Sequence, residues 1–165
     1  MSVRGTSWVC EGVGRPARDG LEHSGRGAGV YQVTGWFVVR ASPGDTELAE
    51  EGRVHREIAE LVGGFGWAGH FQMKVVNGEG FVTVATLTNH RGGEAADLEL
   101  FLRELCRVAP GSYGLLHEWD DETTEWPGEN AFKVYVLARG RVTVREDPFF
   151  SPLVPTIEDP YDPTA

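Results

Sequence analysis

Two amphipathic helix patterns, set among strand patterns, constrain the fold of this chain more than any other feature of its sequence. Apolar residues recur at helical spacing from Val54 to Phe65 and again from Leu98 to Val108, with charged residues on the opposite side. Each apolar stripe is one-sided, so each helix must bury that side against another element. The strand patterns around the helices indicate that this element is a sheet.

Strand patterns lie before, between and after the two helices. β-Branched and aromatic residues alternate with polar ones over residues 30–40, 71–75, 81–88, 112–119, 132–138 and 142–146. Asn77-Gly78 and Arg139-Gly140 lie where tight turns between adjacent strands are expected. The order β-α-β-β-α-β plus a C-terminal β-hairpin predicts an α+β fold, a two-layer sandwich of ferredoxin type. We expect a mainly antiparallel sheet with both helices on one face.

The two ends of the chain differ from this body. Residues 1–29 hold seven glycines and only isolated apolar residues, so we expect a disordered or poorly ordered tail. Residues 30–165 are expected to form a single domain. Five prolines between 147 and 165 exclude helix there, and the apolar side chains among them would be costly to expose. We therefore expect residues 147–165 to lie as an acidic strap across the domain.

Charge and cysteine content narrow the possible functions. The chain carries a net charge of −10, and residues 30–165 hold 22 acidic against 11 basic residues, which repels nucleic acid and anionic membranes. No apolar run approaches the roughly 18 residues of a spanning helix, and no signal-peptide core is present. Two distant cysteines suggest neither a disulfide framework nor a metal set. We expect a cytoplasmic protein that binds neither nucleic acid nor membrane.

No motif in the sequence carries a recognisable catalytic or cofactor chemistry. A G-x-G-x-x-G pattern at 64–69 follows a helix and precedes a strand, the reverse of its context in nucleotide sites. Ser112 lacks the spacing of a nucleophile elbow, and the five histidines show no metal-ligand spacing. We therefore expect no enzymatic activity, no metal and no cofactor.

An acidic segment between two predicted strands is the candidate binding site. Six carboxylates lie within residues 118–129 with no Lys or Arg among them, so we expect that no local base neutralises them. Exposed tryptophan is a typical interface anchor, and such a cluster favours a basic partner. The residues predicted to contact a partner are Glu118, Trp119, Asp120, Asp121, Glu122, Glu125 and Trp126. The alternative is a solvated turn whose tryptophan rings fold back onto the core.

The last third of the chain carries a series of short motifs. They read GSYGLL, DD, FKV, LARG, EDPFFSP and PTIEDP between Gly111 and Pro160. This order resembles the immunity protein 7 family of bacterial polymorphic toxin systems. The positions that match are Trp36, Gly111, Tyr113, Gly114, Asp120, Asp121, Phe132, Pro148 and Pro152.

The resemblance implies a small intracellular inhibitor that binds and neutralises one cognate toxin domain. The acidic charge suits a basic toxin that attacks nucleic acid, and we expect the free inhibitor to be a monomer. Two alternatives stay open. One is a small-molecule-binding or enzymatic domain, and the other is an adaptor domain with no toxin partner.

Overall fold

The computed structural model describes residues 6–9, 29–67, 70–125, 127 and 131–149. These residues form two helices and seven strands. In chain order they are β1 (Thr6–Val9), β2 (Tyr31–Val39), α1 (Leu48–Gly64), β3 (Phe71–Val76), β4 (Glu79–Thr88), α2 (Gly93–Val108), β5 (Tyr113–Asp120), β6 (Lys133–Ala138) and β7 (Arg141–Glu146).

The strands form one antiparallel sheet in the order β1-β7-β6-β5-β2-β4-β3. Because β4 pairs with both β2 and β3, the strands that α1 connects run parallel with one strand between them. The same relation holds for β4 and β5, which α2 connects across β2. This is the split β-α-β arrangement of the ferredoxin type, with the β6–β7 hairpin added beside β5. The predicted fold class is confirmed.

Two tight turns set the register of the two hairpins. Asn77 and Gly78 have φ angles of 52° and 84°, and Arg139 and Gly140 have φ angles of 53° and 66°. A two-residue turn with positive φ at both positions is of type I′, whose twist matches that of the strands it joins. The two residue pairs that the sequence places in tight turns, Asn77-Gly78 and Arg139-Gly140, therefore occupy the turn positions that require positive φ.

The core lies between the helices and one face of the sheet. Phe37 of β2 and Phe71 of β3 meet Phe101 of α2, with ring centroids 5.3 and 4.9 Å apart. Both helices bury their apolar stripes here, through Val54, Ile58 and Val62 of α1 and Leu98, Phe101, Leu102 and Leu105 of α2. The opposite face of the sheet carries the alternate residues of each strand and has no helix on it among the described residues.

The first strand lies in the segment for which the sequence shows no period. Thr6–Val9 pairs with β7, from Thr6 opposite Val144 to Val9 opposite Arg141, and so forms one edge of the sheet. Four residues among glycines are too few to display an alternation. The rest of the predicted tail, and residues 150–165 of the predicted strap, lie outside the described residues.

Candidate functional site

The structure divides the predicted acidic segment between a strand and a turn. Glu118, Trp119 and Asp120 are the last three residues of β5, whereas residues 121–125 begin the connection to β6. Alternate residues of a strand point to opposite faces, so Glu118 and Asp120 lie on the helix side and Trp119 on the other. Trp126 lies outside the described residues.

Glu118 is buried in a network of hydrogen bonds and charges. Its side chain accepts hydrogen bonds from the hydroxyls of Tyr31, at 2.8 Å, and Tyr135, at 2.6 Å. The guanidinium of Arg91 and the ammonium of Lys133 lie 3.6 and 3.7 Å from its two oxygens. Glu118 is only 5% exposed, and these two bases lie beside its carboxylate. The expectation that no local base neutralises it is therefore wrong. Its partners come from β2, β6 and the residues before α2, which the sequence does not show to be neighbours.

The two tyrosines of this network are held in their neutral form. Burial raises the pKa of each hydroxyl, and the charge of Glu118 and the hydrogen bond to it raise the pKa further. A neutral hydroxyl can donate to a carboxylate, whereas a phenolate would repel it. The network is therefore a buried carboxylate satisfied by two donors and two nearby cations, as a buried charge requires.

Asp121 connects the turn to the start of β2. Its Oδ1 accepts a hydrogen bond from the Val30 backbone N–H at 2.7 Å, and its own N–H donates to the Val30 carbonyl at 3.1 Å. A Cβ at Gly29 would lie 2.6 Å from Cδ of the exposed Glu122 side chain and 3.0 Å from the Asn89 carbonyl oxygen. Through its two hydrogen bonds to Val30, Asp121 has a structural role.

The surface carboxylates of the segment are those of Asp120, Glu122 and Glu125, which we call the acidic turn. Glu122 and Glu125 are exposed, and Asp120 is half-buried. Oδ1 of Asp120 accepts the Glu122 N–H at 3.1 Å, and Oε2 of Glu122 lies 3.0 Å from Nδ1 of His90. Burial is the main cause that raises the pKa of Asp120, and the charges of Glu118 and Glu122 add to it.

Trp119 lies on the helix-free face of the sheet. Its ring meets that of Phe132 at a centroid distance of 6.3 Å, and His117 meets the same ring at 6.3 Å. Trp119 is half-buried, and its ring lies on the face opposite the core.

Sequence analysis missed a second surface on the helix-free face, formed by Trp36, Phe81 and Tyr113, which we call the aromatic cluster. Trp36 stacks on Phe81 at 6.4 Å and meets the edge of Tyr113 at 6.3 Å. These residues are 40%, 36% and 46% exposed. The available signal was the adjacent pair Trp36-Phe37, because neighbouring strand residues face opposite sides and both here are large and apolar.

Two shallow depressions flank the Arg91–Glu118 pair, each with a cavity volume of about 10 Å³. Both are far smaller than the ~300–1,000 Å³ typical of small-molecule sites. Among the described residues, no three His, Cys, Asp or Glu side chains converge as metal ligands. Neither described helix is long and apolar enough to cross a membrane.

Comparison with known proteins gives one match. The family model described as Immunity protein 7 matches residues 30–159, from just before β2 to beyond the last described residue. This match confirms the resemblance drawn from the sequence motifs. No curated protein and no solved structure matches the chain.

Proposed function

Because the chain belongs to the immunity protein 7 family, we propose that it binds one polymorphic toxin domain inside the bacterial cell and blocks its activity. The observation that carries this proposal is the extent of the match, which covers both helices and six of the seven strands. In this role the protein is a monomeric inhibitor that acts by occupying a surface of the toxin, with no catalysis and no cofactor of its own.

The charge of the domain favours a basic toxin. Residues 30–165 carry a net charge of −11, from 11 basic and 22 acidic residues. A toxin that cleaves or modifies nucleic acid needs a basic surface to hold phosphates, and carboxylates can occupy that surface in their place. Complementary charge of this kind increases the association rate more than the final affinity.

The acidic turn is the surface that we assign to this contact. Asp120, Glu122 and Glu125 place three carboxylates within six residues of the chain at one end of β5, and surface charges act over ~8 Å at physiological salt. Trp119 and Trp126 belong to the same predicted interface and would add contact area. Glu118 and Asp121 already have partners inside the domain, so they contribute by holding the turn in position.

Protection of cells tests the function itself. A candidate toxin domain, taken from a gene that neighbours the gene of this chain, is expressed in bacteria with and without the wild-type protein. We expect growth only when the protein is present, and binding of the purified pair. Continued killing in the presence of folded, soluble protein would rule out the immunity function, whichever surface is involved.

Charge reversal tests the interface. The variant Glu122→Lys with Glu125→Lys should associate with the toxin at least ~10-fold more slowly, and with a weaker salt dependence, because the attraction that steers the encounter is lost. The control is Asp45→Lys with Glu60→Lys, which changes net charge equally at two exposed positions outside the turn. Association is measured at two salt concentrations. Equal rates for the two double variants would place the interface elsewhere.

A further inference from the structure

The first residue after β7 places its side chain on the helix-free face of the sheet. The Asp147 N–H donates to the Phe132 carbonyl at 2.9 Å, which extends the β6–β7 pairing by one residue beyond Lys133 and Glu146. Oδ2 of Asp147 lies 3.0 Å from Nε2 of His117 on β5, two strands away from β7 in the sheet. The Asp147 side chain therefore reaches across β6 on this face, two residues before the described residues end at Phe149.

The helix-free face is covered at β6 and open around the aromatic cluster. Val134 of β6, whose partners on the neighbouring strands are His117 and Arg145, is 7% exposed although no described helix lies on this face. The aromatic cluster runs from Tyr113 of β5 through Trp36 of β2 to Phe81 of β4, and its three residues are 36–46% exposed. The open part therefore begins on β5, the strand that the Asp147 side chain reaches.

The remaining residues are long enough and suitable in chemistry to cover that part. Residues 150–165 number sixteen and reach up to ~50 Å when extended, whereas the distance from β5 across β2 and β4 to β3 is ~14 Å. Their apolar residues are Phe150, Leu153, Val154, Ile157 and Tyr161. The family match continues to residue 159, so most of this segment belongs to the matched domain.

Charge also favours residues 150–165 as the segment that covers the open part of the helix-free face. Glu158, Asp159 and Asp162 lie in the C-terminal half of the segment, after Ile157. Lys74 of β3 is the cross-strand partner of Phe81 and is exposed beside the aromatic cluster. A tethered segment also acts at an effective concentration in the millimolar range, which a free partner in the cell does not reach.

We propose that residues 150–165 pack across the helix-free face, with their apolar side chains on the aromatic cluster and their carboxylates toward Lys74. The segment then completes the second layer of the domain on the side opposite to the helices. It leaves the acidic turn, rather than the aromatic cluster, as the surface available to a partner.

Protection of an introduced thiol tests this without any toxin. Thr83 is exposed on β4 and pairs with Trp36 on one side and with Gln72 on the other, so Thr83→Cys reports on the centre of the open face. Cys10 and Cys106 are first replaced by serine and alanine. The rate of thiol modification is then compared between the otherwise intact chain and a full-length variant with Leu153→Ser, Val154→Ser and Ile157→Ser.

We expect Thr83→Cys to react at least ~10-fold more slowly in the chain with the native segment, which corresponds to ~1.4 kcal/mol of docking. Glu60→Cys, exposed on α1, is the control and should react equally in both chains, while circular dichroism checks that the serine variant is folded. Equal rates at Thr83→Cys would overturn the proposal. Protection that disappears on dilution would instead assign the face to a second copy, and protection only after addition of toxin would assign it to the toxin.

Discussion

The two faces of the sheet use the same strands but are built for different surroundings. On the helix side, Phe37 is fully buried and meets Phe101. One residue earlier on the same strand, Trp36 stacks on Phe81 and remains 40% exposed. Both faces carry large aromatic residues, but the described residues complete the packing of only one of them.

This difference shows that an alternating strand pattern has to be interpreted separately for each face. A strand with one polar and one apolar face needs only one covering layer. β2 carries aromatic residues on both faces, so its sequence indicates a second covering element besides the helices. The segment after β7 begins with Asp147, whose side chain lies on that side and contacts His117.

Substitutions at adjacent positions of β2 should give the largest difference between the faces. Phe37→Ala removes a fully buried ring and should lower the free energy of unfolding by ~3–5 kcal/mol. Trp36→Ala removes a partly exposed ring and should cost ~1–2 kcal/mol. Urea unfolding of both variants measures this. Losses of equal size would mean that the helix-free face is packed as tightly as the core.

Unfolding at alkaline pH tests the helix side of the sheet at the hydrogen-bond network around Glu118. The pKa values of Tyr31 and Tyr135 are raised in the folded protein, chiefly by burial. Above the unfolded tyrosine pKa of about 10, the unfolded chain loses protons that the folded chain keeps. The stabilisation from these tyrosines is therefore complete below pH ~10 and lost as pH rises, at ~1.4 kcal/mol per pH unit for each tyrosine.

The control for this effect is the double variant Tyr31→Phe with Tyr135→Phe. It should show a shallower loss of stability between pH ~10 and 11, because its unfolded chain releases two fewer protons. A double variant with the wild-type slope would show that the two hydroxyls do not resist ionisation in the folded state.

The fold could be predicted because its helices and turns are indicated by residues that lie close together in the sequence. The stripe of α2 and the Asn77-Gly78 turn each lie within a short stretch of sequence, and the structure places both as expected. The surroundings of Glu118 could not be predicted in this way. Its hydroxyl donors are 87 and 17 residues away in sequence, and they become neighbours only through the pairing of β2, β5 and β6. The sequence does not distinguish the six acidic residues of the segment from one another, yet Glu118 and Asp121 have partners inside the domain.

Deletion of the N-terminal segment should have the smallest effect on stability. Removing residues 1–29 takes away β1, which among the described strands pairs with β7 alone. The free energy of unfolding should therefore fall by ~1 kcal/mol or less once the entropy of ordering is counted. The larger consequence is that the β7 edge becomes free to pair with other chains. Light scattering at rising protein concentration should therefore detect association of this variant, whereas deletion of residues 1–5, which leaves β1 in place, should not. Loss of the folded domain in the longer deletion would show that the segment is part of the core structure.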